Sequence, residues 1–240
     1  MTFPAGVFLI KHRDKGYLLY DTGYHYNIKT KLRYGFYRLG TPVQMTEKDQ
    51  ISYLLRTKGI RPEEITYVML SHLHPDHLGG VSFFPNAQFI LTQEVFEVYQ
   101  KPKLKDLVFK EFLPADFEKR LTVIKANQRY SNFPYRPICD LFGDGSILVA
   151  SVDGHARGQA CLYLPDFNLL IAADLCWGID LLPYTKQMHL IPSFVQDNKT
   201  DYIRGAEFLE EVLKDGIKVV VSHDPVERIE RIIYEKNNLS

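Results

Sequence analysis

The run Ser71-His-Leu-His-Pro-Asp-His-Leu-Gly-Gly80 decides how the rest of this 240-residue chain is read. Three imidazoles and one carboxylate, His72, His74, His77 and Asp76, fall within six positions, more donor groups than a turn requires. On an extended segment, alternation puts His72 and His74 on one side, and Pro75 turns the chain so that Asp76 and His77 face a neighbouring point. Such a set can serve two adjacent ions of the zinc type, which prefer neutral imidazole nitrogen with a carboxylate and an open coordination position. Gly79 and Gly80 then allow close backbone passage. The plain alternative is a solvated turn with satisfied histidines, and the density of donors weighs against it.

Working upstream, residues 65–70 (ITYVML) read as a buried strand whose end delivers the cluster. Residues 45–59 have helical apolar spacing at Ile51, Leu54 and Leu55, with Thr46 as N-cap and Gly59 as the stop. At the start of the chain, apolar runs at 7–10 and 17–20 flank the polar turn 12–16 and predict a β-hairpin closing at Asp21-Thr-Gly23. Downstream, short strands are expected at 88–91, 147–152, 160–164, 169–173 and 218–222. Residues 96–139 are irregular, rich in Lys, Phe, Tyr and Pro, with a short helix at 114–118, and suit a lid or substrate wall. No repeat and no Gly/Ser linker divides the chain, so residues 1–240 are expected to form one domain.

Four residues cannot close a two-ion centre, so further ligands are expected where other strands end. His155 follows the strand at 147–152, Asp174 ends the one at 169–173, and His223 follows the last. Singly, each has a bland reading as a surface histidine or a turn-capping aspartate; their joint occurrence at strand ends gives them weight. Ser71 and Ser151 lie outside any G-x-S-x-G turn and are expected to orient loops. Cys176 reads as a small buried side chain, and His12, His25 and His189 lack partner spacing.

Composition narrows the partners. Lys plus Arg and Asp plus Glu total 29 each, leaving no net field for a polyanion, so no long nucleic acid is expected. Cys139, Cys161 and Cys176 are odd in number and widely spaced, which suits reduced thiols. No basic segment precedes the first apolar stretch and no run is long enough to span a bilayer, so a cytoplasmic protein without a membrane partner is expected. Oligomeric state is open. Phe36, Tyr37, Phe83, Phe84, Phe133, Tyr135 and Trp177 could line an apolar groove, although some of them must be core.

His72-Leu-His-Pro-Asp-His77 matches the H-x-H-x-D-H signature of the metallo-β-lactamase superfamily, and the chain resembles that family over nearly its whole length. Asp21-Thr-Gly23, the helix start at Met45-Thr-Glu-Lys-Asp49, the 71–80 run, Gly154-His155 and Asp174 are similar to the N-acyl homoserine lactonase branch. The resemblance implies an α/β fold, the αββα four-layer sandwich, with the site along one sheet edge. It implies that His72, His74 and His155 hold one ion and Asp76, His77 and His223 the other, with Asp174 bridging. Two departures stand out. Trp177 occupies the position where lactonases carry a carbonyl-polarising tyrosine, leaving Trp177, Tyr24, Tyr184 or a metal to assist the oxyanion. Gln159 replaces the second histidine of G-H-x-x-G-H, a residue that is not a ligand.

These residues predict a dinuclear hydrolase that cleaves a lactone, ester or thioester of a small acyl substrate with metal-activated hydroxide. Two divalent ions are expected, zinc first, with manganese or iron as alternatives. Asp76 and Asp174 are the expected catalytic carboxylates, Asp76 as proton shuttle. Three other readings compete: hydrolysis of a small phosphodiester, oxidation at a single iron as in persulfide dioxygenase relatives, and a non-catalytic binding protein on the same fold.

Overall fold

The computed structural model describes residues 3–185 and 197–234; His189 lies outside them. Two compact units are distinguished along the chain. The first comprises 7–90 and 107–122, the second 1–6, 91–106 and 123–240.

In the first unit, β1 (Phe8–His12) and β2 (Gly16–Tyr20) form the expected antiparallel hairpin, pairing Phe8 with Tyr20 and His12 with Gly16. His12 closes its turn: Nδ1 accepts from the backbone N–H groups of Asp14 and Lys15, both at 3.1 Å. The connection after β2 carries α1 (Asn27–Thr30), a 3-10 turn (Leu32–Tyr34) and α2 (Gly35–Gly40). The single helix expected over 45–59 is two pieces, a 3-10 turn (Glu47–Asp49) and α3 (Ile51–Thr57). Thr46 caps the first piece reciprocally with Asp49. The break falls at Gln50, whose backbone is extended and whose Oε1 accepts the Tyr26 N–H at 3.0 Å. Gly59 stops α3 with φ +74°.

β3 (Ile65–Met69) runs parallel to β2, and β4 (Gln88–Thr92) runs parallel to β3. With β5 (Leu121–Ile124) the sheet order is β1-β2-β3-β4-β5. Leu18, Ile65, Val68 and Phe89 in this sheet are fully buried, each such side chain contributing about 1.5–3 kcal/mol. Between β3 and β4, α4 (Pro75–Leu78) forms a single turn started by Pro75.

The second unit holds a sheet of order β11-β10-β9-β8-β7-β6: β6 (Gln128–Tyr130), β7 (Phe133–Asp140), β8 (Leu148–Val152), β9 (Gln159–Leu164), β10 (Leu169–Ile171) and β11 (Lys218–Val220). Pairing is antiparallel except between β10 and β11. Every residue of β9 is buried, which explains why Gln-Ala-Cys-Leu-Tyr-Leu does not alternate. Its Cys161 is core. Among the described residues the helices of this unit are α5 (Gln93–Gln100), α6 (Leu182–Thr185), α7 (Lys199–Lys214) and α8 (Val226–Tyr234). Ala206, Leu209 and Val212 of α7 share a core cluster with Val152, Leu170 and Val219.

The expected lid segment 96–139 is built from parts of α5, 3-10 turns and β5 to β7. Its short helix is displaced from 114–118 to the 3-10 turn Phe117–Arg120. No described helix is long and apolar enough to cross a membrane.

Candidate metal centre

In the first unit, the cluster is organised by Asp21, which lies just beyond β2 and adopts φ +62°, a left-handed conformation unusual for a non-glycine residue. Its buried carboxylate accepts from Ser71 N (2.7 Å) and Ser71 Oγ (2.8 Å), and from His77 Nδ1 (2.8 Å). Because the Ser71 hydroxyl proton goes to Asp21, Oγ can only accept from His72 Nδ1 at 2.9 Å. The Nε2 atoms of His72 and His77 are therefore left without protons in the neutral rings.

His72 Nε2 faces His74 Nδ1 at 3.0 Å, and His77 Nε2 lies 3.5 Å from Asp76 Oδ2. Backbone passage behind the cluster is tight: a Cβ on Gly80 would lie 2.6 Å from the Thr22 carbonyl oxygen. Thr22 also ties the turn by donating its Oγ1–H and its N–H to the His77 carbonyl, at 2.7 and 2.8 Å.

In the second unit, Asp174 is the meeting point. Ala173 before it has φ +44°, which swings Asp174 out of the line of β10. One carboxylate oxygen, Oδ2, lies 3.0 Å from His223 Nε2 and 3.4 Å from His155 Nε2. The other nitrogen of His223, Nδ1, donates to the Pro4 carbonyl at 2.6 Å. His155 is held by the two residues that lead into α7: the N–H groups of Asp197 and of the N-cap Asn198 donate to the carbonyls of His155 and Gly154 at 3.0 and 3.1 Å. A Cβ on Gly154 would lie 2.7 Å from the Tyr202 Cα, so only glycine lets the loop sit this close.

The chemistry of these donors fits divalent cations. In His77 and His223 one nitrogen donates to an acceptor while the other, a lone pair in the neutral ring, faces a carboxylate. That arrangement repels unless the ring is protonated or a cation stands between. The first unit thus brings His72 to His74 and Asp76 to His77, and the second brings His155 and His223 to Asp174.

Several neighbours have roles that residue type alone does not reveal. Asp224, beside His223, accepts from Ile179 N (2.9 Å), Val221 N (3.0 Å) and Arg228 Nη1 (2.6 Å), pinning the loop after β11. Trp177 stacks on the His223 ring with centroids 5.8 Å apart and planes at 25°, and meets Phe3 edge-on. Cys176 is fully buried, and burial pushes its thiol up to about 12, so it stays protonated. Ser151 orients through Glu94, to which its hydroxyl donates at 3.0 Å.

Gln159, where a histidine was the pattern, is wholly buried against the Asp174 turn. With its amide oxygen turned inward, Oε1 accepts from both Asp174 N and Leu175 N at 3.3 Å. Gln159→Met should leave both N–H groups without that acceptor and destabilise the fold by roughly 1–3 kcal/mol in a denaturant titration. An unchanged midpoint would show that the amide does not hold this turn.

His25 lies outside the cluster, stacked between Phe83 (5.3 Å) and Phe112 (5.2 Å), with Nδ1 accepting from Asn27 N at 3.0 Å. Burial holds its pKa below the ordinary 6.5. The unfolded chain then binds this proton more readily, so the stability contribution is complete above pH 6.5 and is lost as pH falls below it. Unfolding measured from pH 7.5 down to 5.5 should show a smaller acid loss in His25→Leu than in the parent chain; equal losses would remove His25 as the cause.

A Metallo-beta-lactamase superfamily profile matches residues 3–211. N-acyl homoserine lactonase AttM of Azorhizobium caulinodans is 28% identical over 229 residues, covering 92% of this chain and 82% of that protein. A namesake from Rhizobium radiobacter is also 28% identical, over 230 residues, with the same coverage. Among solved structures, an N-acyl homoserine lactone hydrolase with N-hexanoyl-L-homoserine at its catalytic metal centre aligns with TM-score 0.69 at 19% identity, covering 96% and 84% of the two chains. AidC, a dizinc quorum-quenching lactonase, aligns with TM-score 0.65 at 18% identity, covering 92% and 72%.

Proposed function

The chain belongs to the metallo-beta-lactamase superfamily and is a metal-dependent hydrolase, and from that premise we propose that it opens a small acyl lactone, of the acyl-homoserine class, at a dinuclear zinc centre. His72, His74 and His155 would hold one ion, and Asp76, His77 and His223 the other, with Asp174 shared. The observation that supports the two-ion reading is Asp174: one of its carboxylate oxygens lies within 3.4 Å of two imidazole Nε2 atoms, where it could serve both ions. Zinc is favoured by the imidazole-rich set and by the dizinc centre of AidC.

When bound, such a pair supplies an activated water near neutral pH and Lewis-acid stabilisation of the carbonyl oxygen. Asp76 takes up the proton released at the attacking water and returns it to the leaving alcohol. Asp21 and Ser71 keep His77 and His72 in the tautomers that present Nε2.

Trp177 stacks on a ligand ring and Tyr184 is 65% exposed, so a different hydroxyl suits carbonyl polarisation better. Tyr24 and Tyr37 share a 2.9 Å hydrogen bond. Burial and then the charge of Asp76 push the Tyr37 phenol up, keeping it a proton donor. Around it Tyr34, Phe109 and Phe112 form an aromatic wall, with Tyr37 and Phe109 5.7 Å apart and Tyr34 and Phe112 5.5 Å apart. An acyl chain fits such a wall better than a phosphodiester does.

The test compares zinc-loaded protein on acyl-homoserine lactones, acyl thioesters and bis(p-nitrophenyl) phosphate. A kcat/KM for lactones at least ~100-fold above the phosphodiester is expected, equivalent to about 2.7 kcal/mol of transition-state preference. Faster phosphodiester cleavage would overturn the substrate reading, and one iron per chain with oxygen uptake would overturn the hydrolytic centre.

A further inference from the structure

Between Asp21 and Glu47 the sequence carries Lys29, Lys31, Arg33 and Arg38 and no carboxylate. This segment folds as α1, the Leu32–Tyr34 turn and α2, and its inner side is anchored. Ile28 and Tyr34 are buried, with the Tyr34 ring 5.2 Å from Phe109. Arg38 Nη1 donates to the carbonyls of Ile28 and Lys31 at 2.7 and 2.8 Å, and Lys29 Nζ donates to the Met45 carbonyl at 2.7 Å.

The outer side is apolar. Leu32, Phe36 and Leu39 are 93%, 91% and 82% exposed. Phe36 and Leu39, three residues apart, share one face of α2, and Leu32 lies in the 3-10 turn that runs directly into it. A single exposed leucine is ordinary; three large apolar side chains in one stripe, flanked by cations, are not.

We propose that this stripe is an interfacial face that seats on an anionic lipid bilayer. Leu32, Phe36 and Leu39 enter the boundary between headgroups and acyl chains, and Lys31 and Arg33 meet the lipid phosphates. The acidic groups facing the segment include Glu111, 3.7 Å from Arg33 and bonded to the Tyr34 hydroxyl at 3.0 Å, and Asp49, whose charge acts on Lys29; they offset part of two cations of the four. A second copy of the chain fits this face less well. Two-fold pairing would oppose like charges. The three side chains also offer a few hundred Å², against the roughly 800 Å² per partner of a stable interface. The lack of a membrane-spanning run, from which no membrane partner was expected, does not bear on a face that lies in the interface plane.

The experiment is co-sedimentation of the full chain with vesicles of phosphatidylcholine alone or mixed with phosphatidylglycerol, at low and high salt. Binding to the anionic vesicles is expected, weakened by salt. It should drop about fivefold in Lys31→Gln and roughly 100-fold or more in the triple variant L32S/F36S/L39S. All three apolar positions are solvent-exposed, so the triple variant should keep the parent's thermal midpoint, which verifies that it is folded. No association with anionic vesicles at low salt, or equal binding by the triple variant, overturns the proposal. So does light scattering that shows a dimer broken by the triple variant while vesicles bind neither form, since the stripe would then be a protein interface.

Discussion

Asp174→Asn is expected to lower kcat/KM by at least ~1,000-fold, about 4 kcal/mol of transition-state stabilisation. The amide keeps the shape of the carboxylate but removes the negative charge that sits 3.0 and 3.4 Å from two imidazole nitrogens. Its one neutral oxygen is also a poor bridge between two cations. Metal content should fall together with turnover, from two ions per chain toward one, as measured by elemental analysis after gel filtration. Asp174 meets its neighbours through a turn set by Ala173 and held by backbone bonds, so far-ultraviolet circular dichroism should be unchanged. Undiminished activity, or two retained ions, would show that Asp174 does not bridge.

The second large effect falls on a residue with no place in the ligand set. Asp21→Ala removes the acceptor for the Ser71 N–H, the Ser71 hydroxyl and His77 Nδ1, all of them buried. Breaking a buried polar network from one side costs roughly 3–5 kcal/mol, much of a small domain's stability. Asp21→Asn is the milder companion: its amide oxygen still accepts, but its NH2 group must face a donor. Metal affinity should weaken about 10- to 100-fold, the usual consequence of losing the partner that orients a ligating histidine. Urea unfolding and zinc titration measure the two effects separately. A variant with parental stability and affinity would show that the buried carboxylate is dispensable.

The contrast between these two residues shows what was legible. Asp174 gains weight because it closes the apolar run Leu-Leu-Ile-Ala-Ala at a strand end, together with His155 and His223 at the ends of others. Asp21 was visible only as part of Asp-Thr-Gly after a hairpin. Its role depends on Ser71 and His77, 50 and 56 positions away, and on a left-handed φ that residue type does not announce. Gln159 was noticed as a departure from a pattern, and its placement beneath the Asp174 turn explains how the change is accommodated.

Secondary structure followed the same division. The hairpin and the strand feeding the cluster were read from alternation and apolar runs. The break at Gln50 was missed because it depends on a bond to Tyr26, distant in sequence. Helix α7 carries a local signal in its Asn198 cap, and its burial at 202, 206, 209 and 212 is set by the sheet it packs on. β5 and β6 are short and partly exposed, and they lack the periodicity that marks a strand in isolation.

By itself, then, the sequence determined the kind of chemistry, since metal binding depends on which donor atoms are present, and His72, His74, Asp76, His77, His155, Asp174 and His223 carry imidazole and carboxylate donors of the type that divalent ions prefer. Only the tertiary structure decided which nitrogen His72, His77 and His223 present, that Trp177 stacks on the His223 ring and Tyr37 is a hydroxyl near Asp76, and that Leu32, Phe36 and Leu39 face outward. Tautomer, stacking and exposure are set by partners brought together in space, and a local pattern of residue types does not encode those distances.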